Sequence, residues 1–152
     1  MGIFSFRKTV EFFSEEEKAR IVQAIRDQER RTSGEIRVYV EGRCRFVDPV
    51  DRAMEVFNVL EMERTDHRNG VIIYIAVLDH QLAIFGDEGI HLKLGEGFWN
   101  EEVKKMLAEF NSENFTEGII HIIGDVGNAL YMNFPYDRSD KNELPDDIVF
   151  GH

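Results

Sequence analysis

Gly70-Val71-Ile72-Ile73-Tyr74-Ile75-Ala76-Val77-Leu78, then Asp79-His80-Gln81, then Leu82-Ala83-Ile84-Phe85-Gly86-Asp87-Glu88-Gly89, is the stretch whose reading decides the fold. Val71 to Leu78 is apolar, uncharged and rich in β-branched residues. It is too short to span a membrane, so it reads as a strand buried on both faces. The polar break at residues 79–81 and the shorter apolar run 82–85 predict a returning antiparallel strand, although no Asn-Gly or Asp-Gly turn dipeptide is present.

Outward from this hairpin the pattern alternates helix and strand. Ser14 to Glu17 is a capping box that opens a helix to about Arg31, with Ile21, Val22 and Ile25 on its apolar stripe. Thr32-Ser33-Gly34 stops it. Glu35 to Glu41 alternates, with Ile36, Val38 and Val40 on one side, and predicts a strand near a sheet edge with one polar face. Asp48-Pro49 starts a second helix with Val50, Ala53, Met54, Phe57 and Leu60 as its stripe. Strand, helix and strand in that order form a βαβ unit with parallel strands and a right-handed crossover. The hairpin makes the sheet mixed, so the fold class is α/β. Residues 90–94 read as a short strand or irregular. A third helix is expected from about Trp99 to Asn111, burying Trp99, Val103, Met106, Leu107 and Phe110, and a fourth from Phe115 to Asn133. Phe4, Phe6, Phe12 and Phe13 predict that the N-terminus docks on the domain. One domain over residues 1–136 is therefore expected, followed by an acidic, irregular tail over 137–152.

The chain has 152 residues, 43% of them hydrophobic, enough for one packed core. Its net charge of −11 argues against nucleic acid and anionic membrane as partners, because binding phosphate needs a basic surface. A basic protein or a cation remains admissible. The single cysteine, Cys44, forms no intrachain disulfide. Met1 to Phe13 has no signal-peptide pattern, and no anchor is read, so a cytoplasmic protein is expected.

The order of these pieces resembles the TPM-domain family, named in part for a thylakoid-lumen phosphatase-like protein. The resemblance covers roughly residues 10–135. It rests on the first helix leading into Ser33-Gly34-Glu35-Ile36, on Asn69-Gly70-Val71-Ile72-Ile73, on the hairpin ending Phe85-Gly86-Asp87, and on Phe115-Thr116-Glu117-Gly118-Ile119. The tail motifs Asn133-Phe134-Pro135-Tyr136 and Asn142 to Asp147 resemble a short, soluble bacterial branch. The resemblance implies a three-layer α/β/α sandwich with about four helices around the sheet. It also implies divalent-metal binding and an acid phosphatase activity proposed for some members.

Hairpin pairing locates one candidate site. With residue 78 opposite 82, Asp87 returns to the level of Ile72 or Ile73, beside the loop that carries Asp66, His67 and Asn69. The parallel first strand begins at the same end, with Ser33 to Glu35. An oxygen-rich cluster suits Ca²⁺ or Mg²⁺, and His67 also admits Mn²⁺ or Zn²⁺. Asp66, Asp87 and Glu88 are the expected metal ligands, with His67 as ligand or nearby acid/base. The alternative is a polar turn and a solvated loop. At the other end of the hairpin, Asp79 faces Arg43 and Arg45, either to seat a phosphate or as a surface ion pair. Glu117, His121, Asp125 and Asn128 share one face of the fourth helix, read as its solvent side. Phosphate-binding loops, a nucleophile elbow and zinc-protease motifs are absent, and Cys44 has no arginine six residues on, so any phosphatase would be metal-dependent. Three readings follow: a divalent-cation binding domain, a weak metal-dependent acid phosphatase, or a metal-free module that recognises a basic protein through its acidic tail, Asp137 to Asp147.

Overall fold

A computed structural model describes residues 12–46, 48–110, 115–136 and 148–151. In chain order these form α1 (Glu15–Glu29), β1 (Glu35–Glu41), α2 (Pro49–Val59), β2 (Gly70–Ala76), β3 (Gln81–Gly86), α3 (Glu88–Leu94), α4 (Glu96–Phe110), α5 (Phe115–Asn133) and β4 (Val149–Phe150). The sheet order is β3-β2-β1-β4, with β1 parallel to β2 and to β4 and with β2 antiparallel to β3. This is the expected βαβ unit and hairpin.

Strand alternation sorts the apolar residues into two layers. Ile36, Val38 and Val40 of β1, Val71, Ile73 and Ile75 of β2, and Leu82 and Ile84 of β3 join one core. That core also takes Ile21 and Ile25 of α1, Ile90 of α3, Trp99 and Met106 of α4, and Ile119, Ile122 and Leu130 of α5. Tyr39, Ile72, Tyr74, Ala76 and Ala83 face the other way, onto Ala53, Val56 and Phe57 of α2. The molecule is therefore an α/β/α sandwich. All seven residues of β2 are buried, as a strand covered on both faces requires.

The capping box is formed: the Ser14 side chain accepts from the Glu17 N–H at 3.0 Å, and the Ser14 N–H donates to Glu17 Oε1 at 2.9 Å. Asp48 caps α2 ahead of Pro49, as the sequence predicts. Phe13 is buried and Phe12 half-exposed, while Phe4 and Phe6 lie outside the described residues.

Five sequence expectations are corrected. β1 does lie one strand in from a sheet edge, but its supposed polar face is buried except at Arg37, because α2 covers it and β4 pairs with it. Glu35 and Glu41 are each 3% exposed. Residues 149–150 form β4 where an irregular tail was expected, with Tyr39 opposite Val149 and Val40 opposite Phe150; residues 137–147 lie outside the described set. Residues 90–94 belong to the helix α3. Asp87 caps its start, Ile90 anchors it in the core, and Gly95 ends it at φ +78°. On α2 the buried stripe is Ala53, Val56 and Phe57, while Val50 and Met54 stay largely exposed. α4 begins at Glu96, not Trp99, and its inward face includes Glu102 whereas Leu107 is exposed.

Candidate functional site

The hairpin register brings Asp87 opposite Gly70, whose carbonyl accepts from the Asp87 N–H at 2.9 Å. That is two or three residues from the predicted level of Ile72 or Ile73. The start of β1 also arrives at this end: the Glu35 N–H donates to the Asn69 carbonyl, and the Asn69 side chain donates to Ser33 Oγ at 3.2 Å. The loop and the end of the hairpin therefore meet. Gly89 lies against the loop so closely that a Cβ there would fall 2.1 Å from the His67 carbonyl oxygen. Only glycine permits that approach.

What joins the two segments is Arg68. Its Nε donates to Asp87 Oδ2 at 2.6 Å and its Nη2 to Oδ1 at 2.8 Å, a bidentate fork. Oδ1 also caps α3 by accepting the Glu88 N–H at 2.8 Å. The Asp87 side chain is 5% exposed, so its charge is matched inside the fold. Arg68 reaches Glu88 as well, at 3.3 Å. Asp66 and His67 are exposed, and the His67 ring lies 6.0 Å from the Phe134 ring across the loop. The four expected metal ligands are thus neighbours in the chain's topology but do not converge as a ligand set. Among the described residues no group of three or more His, Cys, Asp or Glu side chains is arranged to hold a metal ion. In this arrangement both Asp87 oxygens are engaged, by the Arg68 guanidinium and the Glu88 N–H.

Beside this ion pair runs a groove of about 620 Å³ along β3, the outer strand of the sheet. Asp48, Asp87, Glu88 and Glu96 line it, with Arg68 as the one Lys or Arg among its lining residues. Trp99 forms part of its apolar wall. The indole N–H of Trp99 donates to His91 Nδ1 at 3.1 Å, and the ring packs where a Cβ on Gly86 would clash. The Asp87–Gly70 bond sets the ladder phase. By antiparallel alternation, the backbone N–H and C=O groups of Leu82, Ile84 and Gly86 point outward from β3.

At the opposite end of the hairpin, Arg43 pairs with Asp79 at 2.9 Å and the Cys44 N–H donates to Asp79 Oδ2 at 2.7 Å. This is the ion pair the sequence allowed. Deeper in, the buried Glu41 carboxylate receives Arg52 Nε at 2.8 Å and Nη2 at 3.0 Å, together with the Tyr74 hydroxyl. Burial is the first cause that raises the Tyr74 phenol above its ordinary range, and the bond to Glu41 is the next.

The sequence reading missed Glu102. It is 3% exposed, and burial pushes its carboxyl up to about 7, with the nearby Asp125 carboxyl adding to the shift. The signal was present in the spacing: Glu102 lies three residues after Trp99 and four before Met106, on the apolar stripe. The polar face of α5 is divided among partners. Glu117 pairs with Arg20, Asn128 accepts from Arg31 at 3.5 Å, and Asp125 meets Lys105 at 3.4 Å.

Comparison with known proteins places the chain. The TPM domain matches residues 7–129. The NMR structure of the BA42 protein from the psychrophilic bacterium Bizionia argentinensis is 41% identical, covering 92% of this chain and 96% of that one, with a TM-score of 0.83. The N-terminal domain of cg2496 from Corynebacterium glutamicum is 15% identical over 92% of this chain and 82% of that one, with a TM-score of 0.58, which bears on the fold alone. No curated protein gives a significant match. Among the described residues no helix is long and apolar enough to cross a membrane.

Proposed function

This chain belongs to the TPM-domain family, and we propose that its domain is a binding module, acting in the cytoplasm, whose ligand is a basic, extended segment of a partner protein seated along β3. The observation that carries this reading is the groove itself. Four carboxylates face one arginine, and that arginine is already committed to Asp87 and Glu88. Its floor is a strand edge, unpaired among the described residues, with outward N–H and C=O groups at Ile84 and Gly86. An added strand satisfies those groups, and its lysine or arginine side chains meet Asp48, Glu88 and Glu96. The net charge of −11 disfavours a second copy of this acidic chain in the same place.

A divalent cation, Ca²⁺ or Mg²⁺ first and Mn²⁺ next, is the second reading. The exposed carboxylates of Glu88 and Asp66 favour it, and it requires Arg68 to release Asp87. A metal-dependent phosphatase is the enzyme form of this second reading and would draw on the same residues, the cation supplying Lewis-acid chemistry if bound.

Amide NMR titrations of chelator-treated protein separate these readings. One arm uses a short peptide alternating lysine and valine, with a glutamate-valine peptide as control. The other uses Ca²⁺, Mg²⁺ and Mn²⁺. Saturable shifts along 81–88 with the basic peptide only, weakened in Glu88→Lys and Glu96→Lys, are expected. Saturable metal shifts at 66–68 and 87–89 without peptide binding would replace the peptide by the cation. Metal-dependent phosphate-ester turnover that falls in a folded Glu88→Gln variant would make the protein an enzyme.

A further inference from the structure

A second cavity of about 620 Å³ lies between α4 and α5, away from β3. Glu102, Lys105, Glu109, His121 and Asp125 supply its charged or titratable lining, and Met106 part of its apolar wall. The Glu102 side chain is 4% exposed, and its Oε2 has no hydrogen-bond partner. The Lys105 ammonium sits 3.2 Å from Glu102 Oε1 and 3.4 Å from Asp125 Oδ2, at the end of a side chain that is 61% exposed. At Gly124 the space beyond the missing Cβ is open, with no atom within 4 Å.

We propose that this cavity is a binding site for an aliphatic primary amine, whose ammonium sits between Glu102 and Asp125 in place of Lys105 and whose chain lies against Met106 and Gly124. Three observations support it. Lys105 itself shows the chemistry, an alkylammonium shared by two carboxylates. Lys105 is also largely in solvent, so its departure costs little. When Glu102 is ionised its Oε2 is a buried acceptor without a donor, and an ammonium brings three N–H groups where Lys105 serves one oxygen of each carboxylate. Anions are repelled by the carboxylates. A hydrated metal ion finds apolar walls and no third ligand among the described residues.

Protonation of Glu102 competes with the amine. Burial and the neighbouring Asp125 carboxyl raise Glu102 to about 7, while Lys105 acts in the opposite direction. The other titratable groups that face the cavity are Glu109 from α4 and His121 from α5. Only ionised Glu102 accepts an ammonium fully, so affinity should fall about tenfold from pH 8 to pH 6.

The test is an amide NMR titration of the full chain with n-butylamine and with spermidine, with tetramethylammonium and Ca²⁺ as controls. Saturable shifts centred on residues 102–106 and 118–125 at pH 8 are expected, weakening at pH 6. In Lys105→Ala, which removes the built-in occupant, butylamine should bind more tightly and raise Tm. Glu102→Gln should lose both effects. Gly124→Leu places an apolar side chain in the open space beside the site, leaves both carboxylates in the chain, and should block the amine in a folded domain. The proposal is overturned if tetramethylammonium or Ca²⁺ binds as well as butylamine, if Glu102→Gln binds unchanged, or if neither amine saturates the wild-type chain at pH 8.

Discussion

At the scale of single residues, Glu102 and Asp87 show two ways of burying a carboxylate. Asp87 is matched by a bidentate arginine and a helix N-terminus, so it holds the loop, the hairpin end and α3 together. Glu102 has one lysine on one oxygen and a second carboxylate nearby, and its proton is held up to about 7. The sign of the linkage is set by that rise. Between the ordinary glutamate range and 7, the folded state keeps a proton that the unfolded chain has released. Stability therefore declines as pH rises through that window, and the whole cost is present above it. The cost is about 3 kcal/mol. Glu102→Gln should consequently be more stable than the wild type at pH 8 by up to that amount and lose its advantage near pH 5. Urea unfolding at the two pH values checks this, and parallel behaviour of the two proteins would contradict it.

At the scale of elements, α5 carries three glycines that a propensity argument counts alike, yet their surroundings differ. A Cβ on Gly118 would fall 2.7 Å from Glu109 Cβ and 3.1 Å from Met106 Sδ, because α4 crosses α5 there. A Cβ on Gly127 would meet the Gln28 side chain of α1 at 2.3 Å. Gly124 faces open space. Opposite signs follow on the same helix. Gly118→Ala should destabilise by about 1–3 kcal/mol through overpacking. Gly124→Ala should stabilise by roughly 0.5–1 kcal/mol by lowering the backbone entropy lost on folding. Chemical denaturation of the two variants tests the pair, and equal effects would refute the packing argument. The existence and bounds of α5 were legible because its Ile/Val stripe is long and periodic. α3 was not, because in Glu88 to Leu94 only Ile90 is fully buried while Leu92 stays 83% exposed.

At the scale of the molecule, the sheet has two unequal margins. β3 is six residues long, buried on its faces and unpaired on its outer side among the described residues. β4 is a two-residue strand that closes the other margin over Tyr39 and Val40. The Gly151 N–H continues it by donating to the Val40 carbonyl at 2.7 Å, and Gly151 lies so close to Tyr39 that a Cβ would meet the phenol oxygen at 2.2 Å. Deleting residues 148–152 should cost about 1–2 kcal/mol, from lost cover over Tyr39 and the broken ladder. It should accelerate hydrogen exchange in β1 while β2 stays the slowest strand. Unchanged exchange in β1 would show that β4 adds nothing.

Local signals in the sequence determined the βαβ unit, the hairpin, both helix caps at Ser14 and Asp48, the span of α5 and the family. Each rests on residues within one or two turns or one strand length of each other, where periodicity and capping chemistry act directly. Tertiary structure alone decided what the charged residues do. Arg68 and Asp87 are nineteen positions apart in the chain and meet because the hairpin register returns one to the other. Glu102 and Asp125 are drawn together by the α4–α5 packing that Gly118 permits. Glu41 is buried because α2 and β4 cover the face that alternation marked as polar. A charge is written in the sequence, but its partner and its burial depend on contacts between distant segments, and those two factors decide whether it binds a ligand or holds the fold.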